Sequence, residues 1–326
     1  MARRIAAILI GVLMCSVALP SQAQSTSWPN RPMRIIVPLT TGGSNDLIAR
    51  ILAERLAVAL GQPVVVENKP GAGGNVGTEY VSHQAPDGYT LLLSSNTHVI
   101  NLSFFAHLPY DPIKDFEPIS MVATVPFVMT VNSSVPVHSV KEFIDYARAR
   151  PGTITYGTAG IGTPHHLSAE LLKSMTGIEM THVPYKGAAQ LVPALLGNEV
   201  TVTVAAINTL LPHIRSGKLR ALAVSADHPF DVLPDVPTIA DAGGLPGFSI
   251  DVWLGVLAPA GTPRPIIDRL NMEINRIMRD PQIIRDRLNA MGVASVGSTP
   301  ERYMEVMKSD IARYAKIARD AHIQPE

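Results

Sequence analysis

Over residues 33–77 the hydrophobic pattern changes period twice. Ile35, Ile36 and Val37 form a β-branched run that predicts a short buried strand, stopped by Pro38 and by Gly42-Gly43. Leu47, Ile48, Ile51, Leu52, Leu56 and Leu60 then recur at three- and four-residue intervals, which predicts an amphipathic helix. Ser44, Asn45 or Asp46 can cap it, and Gly61 with Pro63 closes it. A strand, a glycine turn and a helix start bring unpaired backbone N–H groups and a positive dipole end to one point. A small anion would sit there.

The alternation continues along the chain. Strands are predicted at residues 89–93, 126–131, 153–156, 180–183, 200–204, 219–224 and 252–257, with helical stretches between them. Ser139 and Glu142 have capping-box spacing, which marks one helix start. A second glycine-rich strand-to-helix junction, TAGIGTPHH, precedes a helix whose face carries Leu167, Leu171, Leu172 and Met175. Beyond residue 257 the chain reads as helical, broken at Asp280-Pro281 and near Gly292, with Thr299-Pro300 opening the last helix. Such alternation predicts an α/β fold of mostly parallel sheets with helices on both faces, and the length suggests two domains.

The first residues change this picture only at the end of the chain. MARR, an apolar run over residues 5–19 and Ser21-Gln22-Ala23 form a secretory signal, with cleavage expected after Ala23. An uncleaved anchor is the alternative, but the run is shorter than the roughly 20 residues that span a bilayer. Cys15, the only cysteine, lies inside the signal, and Met14 before it does not suit lipoprotein cleavage. Loss of Arg3 and Arg4 leaves 25 Lys and Arg against 27 Asp and Glu, so the mature chain is near neutral. No basic surface for nucleic acid is expected. Export without a disulfide requirement points to the periplasm or to secretion.

Enzyme signatures are missing: there is no GxSxG, no HExxH and no GxxxxGK[ST]. Residues 71–77 begin like a dinucleotide fingerprint, but Val76 occupies the third glycine position. His165 and His166 are adjacent on a helix, so they diverge rather than share a metal. What remains is three polar loops at strand ends, residues 40–46, 94–98 and 158–166, none with Lys or Arg. Backbone N–H groups and the hydroxyls of Thr41, Ser44, Ser94, Thr97, Thr158 and Thr163 could hold a carboxylate there, outside the carboxyl ends of strands. The structural alternatives stand beside this. The glycines could serve turn geometry alone, Asp46 could cap its own helix, and His166 could be a helix residue with its own partner. Tyr185-Lys186-Gly187 could reach a cleft or form a surface turn, and Trp253 suits a core.

In their order, these stretches resemble the periplasmic receptors of tripartite tricarboxylate transporters, sometimes called Bug receptors. The resemblance rests on Trp28-Pro29, RIIVP (34–38), GGSND (42–46), GQPVVVEN (61–68), PGAGGN (70–75), APDGYTL (85–91), LPYDP (108–112), HVPYKG (182–187), GKLRALAV (217–224) and LAPAGTP (257–263). It implies a two-lobed type II periplasmic-binding-protein fold with the ligand cleft between lobes. Residues 24–124 and 254–326 would form lobe 1, and 125–253 lobe 2. It further implies that Thr40, Thr41, Gly43, Ser44 and Asp46 in the first lobe face Thr158, Ala159, Gly160, Gly162, Thr163 and His166 across a small carboxylate, and the polar loop with Ser94 and Thr97 is expected to join them.

The implied protein is a monomeric receptor, not an enzyme, that delivers an organic acid to membrane permease subunits and needs neither cofactor nor metal. A ligand sensor presenting its bound state to a membrane signalling protein is the alternative. Two departures bear on the ligand. Thr41 stands where relatives usually have proline, and Ala205-Ala206 where they often have an Asp-Asn pair. A less polar or larger carboxylate is the expected consequence.

Overall fold

The predicted β-branched run becomes β1 (Met33–Val37), which lies parallel to both β2 (Val64–Asn68) and β3 (Thr90–Ser95). Beyond β3 the sheet continues with antiparallel β10 (Val252–Pro259), then β4 (Phe116–Val125) and the two-residue β11 (Ala294–Ser295). A second sheet has the order β7 (Thr181–Pro184), β6 (Thr155–Thr158), β8 (Val202–Ala206), β5 (Phe127–Asn132) and β9 (Leu219–Val224). Here β6 is parallel to β7 and β8, while β5 is antiparallel to β8 and β9. This computed structural model describes residues 28–230, 232–250 and 252–321 together with Ile323 and Pro325; the signal expected at residues 1–23 lies outside them.

Both sheets are therefore mixed, where mostly parallel ones were expected. The reason is the way the chain changes lobe. β4 and β5 are separated only by Pro126, yet one belongs to each sheet. The return passes from the Ile250–Ser225 backbone bond to Val252, which already pairs with Val125 of β4. The two crossings thus lie side by side, and a strand that comes back beside the one that left must run antiparallel to it. β4 itself was not anticipated, because Pro118 interrupts its apolar pattern. Its partner register shifts there, between Val256 and Leu257, as expected where proline removes a ladder donor.

The amphipathic patterns become α1 (Ser44–Leu60), α2 (Asn75–Ser82), the short α3 (Thr97–Ile100), α4 (Val140–Arg148) and α5 (Pro164–Thr176). They continue with α6 (Ala188–Leu196), α7 (Ile207–Arg215), α8 (Ile239–Gly243), α9 (Arg264–Met278) and α10 (Pro300–Asp320). α1 buries Ile48, Ile51, Leu52 and Leu56, and α9 and α10 pack on β4. Trp253 is core: it is buried, meets Tyr303 edge-on at 5.2 Å and donates its Nε1–H to Asp310 at 2.7 Å. Among the described residues no helix is long and apolar enough to cross a membrane.

Candidate ligand-binding cleft

The first jaw follows from the β1–α1 junction. Gly42, at φ 84°, takes a left-handed turn that a side chain would resist. Gly43 is the extended N-cap of α1 and offers no side-chain cap, so the first-turn N–H groups face outward uncovered. Thr40, Gly43 and Ser44 line a cavity between the lobes. Thr41 is exposed on the outside of the turn. Asp46 is buried behind it, where its carboxylate accepts the Gly42 N–H at 3.0 Å and both the Nε and Nη2 of Arg50. Burial pushes this carboxyl up, but Arg50, the Gly42 N–H and Asn68 together hold it below its usual range. Asp46 braces the jaw and does not line it.

Ser95, the last residue of β3, and Thr97, the first of α3, also line the cavity, whereas Ser94 does not. Successive strand residues face opposite sides, so a one-residue register difference decides this. Ser95 Oγ donates to Thr97 Oγ1 at 2.9 Å.

The second jaw is the β6–α5 junction. Ala159 and Thr163 line the cavity. Thr158 lies beneath it, with its Oγ1 accepting the Gly160 N–H and lying 2.7 Å from His182 Nε2. Gly160 borders an outer pocket with Tyr185 and Lys186, and Gly162 abuts Asn101, whose Oδ1 would be 2.0 Å from an added Cβ. His165, not His166, is the cavity-lining histidine, and its ring meets Phe127 at 4.7 Å. His166 points away to stack on His182 at 4.1 Å and against Phe104. Burial drives both His165 and His166 down to about 3 and His182 to about 4, so all three rings are neutral at neutral pH; His182 and Lys173 add to the effect on His166.

Two further helix starts complete the cavity. Gly187 and Ala188 open α6, and Ala206 is the N-cap of α7. Sequence left Tyr185-Lys186-Gly187 undecided between cleft and turn, and marked Ala205-Ala206 only as a departure from the family. Neither stretch lends the cavity a polar side chain, so the sole signal available was its position at a strand-to-helix junction. Four helices, α1, α5, α6 and α7, thus begin at one cavity, and none of the four has a side-chain cap. Elsewhere Ser139, Thr238 and Thr299 cap α4, α8 and α10. Open starts also occur at α2, α9 and the one-turn α3; what distinguishes the cavity is the convergence of four longer helices.

No Lys or Arg lines this cavity. Its back wall is apolar, with Phe127, Val252 and Leu254 from the crossing strands. About 40 Å3 is open to the centre of a water molecule, several times the roughly 10–15 Å3 that one water needs. The lobes touch around it. Ser44 Oγ donates to Asn208 Oδ1 at 2.7 Å, while Thr40 Oγ1, His165 Nδ1 and Asn208 Nδ2 are buried without partners. Four positive dipole ends without a formal cation suit a small oxyanion. With His165 Nδ1 unpartnered, no nucleophile and base are visibly joined.

Residues 48–323 match the tripartite tricarboxylate transporter family receptor. Protein BugT of Bordetella pertussis is 38% identical over 314 residues, covering 96% of both chains. Among solved structures, Rhodopseudomonas palustris Rpa4515 with adipate superimposes with TM-score 0.88 at 37% identity, covering 92% of this chain and all of the other. Periplasmic binding protein BugD gives 0.87 at 33%, covering 92% and 100%. MatC from R. palustris with bound malate gives 0.85 at 32%, covering 89% and 100%. This chain therefore belongs to the tripartite tricarboxylate transporter family receptors.

Proposed function

We propose that this receptor works in the periplasm as a monomer, released from its signal near Ala23, and captures a small carboxylate for delivery to a tripartite tricarboxylate-type permease. The observation that carries this reading is the meeting of four uncapped helix starts from both lobes at a cavity without a cation. The adipate and malate bound by two structural neighbours support the choice of ligand class. In this reading residues 24–124 and 254–326 form one lobe, 125–253 the other, and the paired crossings at Val125 and Val252 act as the hinge.

The mechanism is closure. An open form presents two half-sites, the Thr40–Ser44 jaw and the Ala159–Thr163 jaw with Gly187 and Ala206 beside it. A ligand that touches both gains affinity only in the closed form and shifts the population toward it. The permease then reads the closed pair of lobes. Calorimetric titration with adipate and with malate, joined to small-angle scattering, tests this: binding of at least one with a contracted radius of gyration supports the reading. Absence of heat and of contraction across short organic acids would overturn it.

A further inference from the structure

Resting on that reading of the cleft, we infer that the receptor selects organic acids without an amino group and rejects amino acids on charge. Acceptors for an extra polar group are present. The lining hydroxyls of Ser44, Ser95, Thr163 and Thr209 donate within the protein but keep oxygen lone pairs, and Thr40 Oγ1 and His165 Nδ1 are buried without partners. A ligand hydroxyl is therefore accommodated. What sets an ammonium group apart is its charge.

The charge that the protein presents inside the cleft has one sign. Each of the four helix starts carries roughly half a positive charge, and no Asp or Glu lines the cavity. Asp46, next in the chain to the lining residue Asn45, turns away and is compensated by the Gly42 N–H at 3.0 Å and by Arg50 at 2.9 Å. The His165 ring is neutral and supplies no countercharge. The outer pocket, which shares Leu39 and Ala159 with the cavity, is bordered by Lys186 and likewise has no acid. Closure on an amino acid encloses its ammonium beside positive dipole ends, with no protein carboxylate to answer it. A buried charge without a partner is costly, and affinity falls roughly tenfold or more.

Malate and aspartate isolate the charge, because a hydroxyl and an ammonium of similar size occupy the same carbon. Glutarate against glutamate and adipate against 2-aminoadipate extend the comparison, all titrated calorimetrically into the mature receptor. The expected result is at least about tenfold tighter binding of the amine-free acid in each pair that binds. Ala206→Asp places a carboxylate at the N-cap of α7, where Asp is a favoured residue, and should move the preference toward the amino acid by about tenfold or more. A smaller difference between partners in the unmodified receptor, a tighter-bound amino acid, or a preference untouched by Ala206→Asp in a variant that melts cooperatively would overturn the inference and leave the carboxylate receptor standing. No binding by any of the six would remove both the inference and the function on which it rests.

Discussion

Ser44 and Asn208 meet across the cleft, the Ser44 hydroxyl donating to the Asn208 amide oxygen at 2.7 Å from 164 residues away in the chain. This bond ties the start of α1 to the first turn of α7 and exists only when the lobes are together. Asn208→Ala removes the acceptor without altering the cavity lining. A neutral hydrogen bond is worth about 0.5–1.5 kcal/mol, so ligand affinity should fall about two- to tenfold. Unfolding of the ligand-free protein should be little changed if the free lobes are apart. A double-mutant cycle with Ser44→Ala should show the coupling in ligand binding.

Closure also depends on a glycine outside the main cavity. A Cβ on Gly73 would lie 1.9 Å from the Ile161 carbonyl oxygen in the opposite jaw. Gly73→Ala should hold the lobes apart, so affinity drops by tenfold or more and scattering shows no contraction on ligand addition. Gly61→Ala is the control: its φ of 68° is close to the 59° of Gly73, yet nothing lies within 4 Å of its added Cβ. Both variants carry about 1–2 kcal/mol of left-handed strain, but only the first should lose closure.

Asp46 ties the first jaw to its helix through the Gly42 N–H and Arg50. Its carboxyl is lowered in the folded protein, because these bonds outweigh the opposing effect of burial. A lowered carboxyl contributes stability that is present above its unfolded value near 4 and lost as pH falls through the folded one. Asp46→Asn should cost about 1–3 kcal/mol at neutral pH, measured by denaturant unfolding, and should flatten the acid-side decline below pH 4.

The buried histidines act over a higher range. His98, His165, His166 and His182 are held near 4, 3, 3 and 4, mainly by burial. Unfolded histidine takes its proton near 6.5, so the unfolded chain binds more protons below that pH. Stability is full above about 6.5 and falls as pH drops toward 4, by at most about 1.4 kcal/mol per pH unit for each ring. His182→Gln keeps a hydrogen-bonding group beside Thr158 and should reduce the loss between pH 7 and pH 5.

The strand–turn–helix junctions at Thr40–Ser44 and Thr158–Pro164 were legible because a β-branched run, glycines and a helical period are all local. β4 was not, since its pattern is broken by Pro118 and its partner β10 begins more than 120 residues later. Of the predicted residues that stand off the cavity, Ser94 and His166 are each next to one that lines it, Ser95 and His165, while Thr41, Asp46, Thr158, Gly160 and Gly162 support or border the jaws. Residue type marks a loop, but register and helix phase decide which side chain enters the cavity. Gly187-Ala188 and Ala205-Ala206 carry no polar side chain that would draw attention. They contribute backbone, which shows itself only once four helices are seen to start at one place.

The central claim is that the α1 start is one half of an anion clamp. Gly43 tests it directly, since its φ of −81° accommodates any residue and nothing lies within 4 Å of an added Cβ. Gly43→Leu fills the cavity at little cost to the fold beyond a weaker N-cap. The measurement is the thermal stabilisation produced by a carboxylate at 100 times its dissociation constant, about 2.7 kcal/mol for the unmodified receptor. The variant should melt cooperatively near the ligand-free temperature and gain nothing from the ligand. A Gly43→Leu protein stabilised as fully as the original would contradict the account.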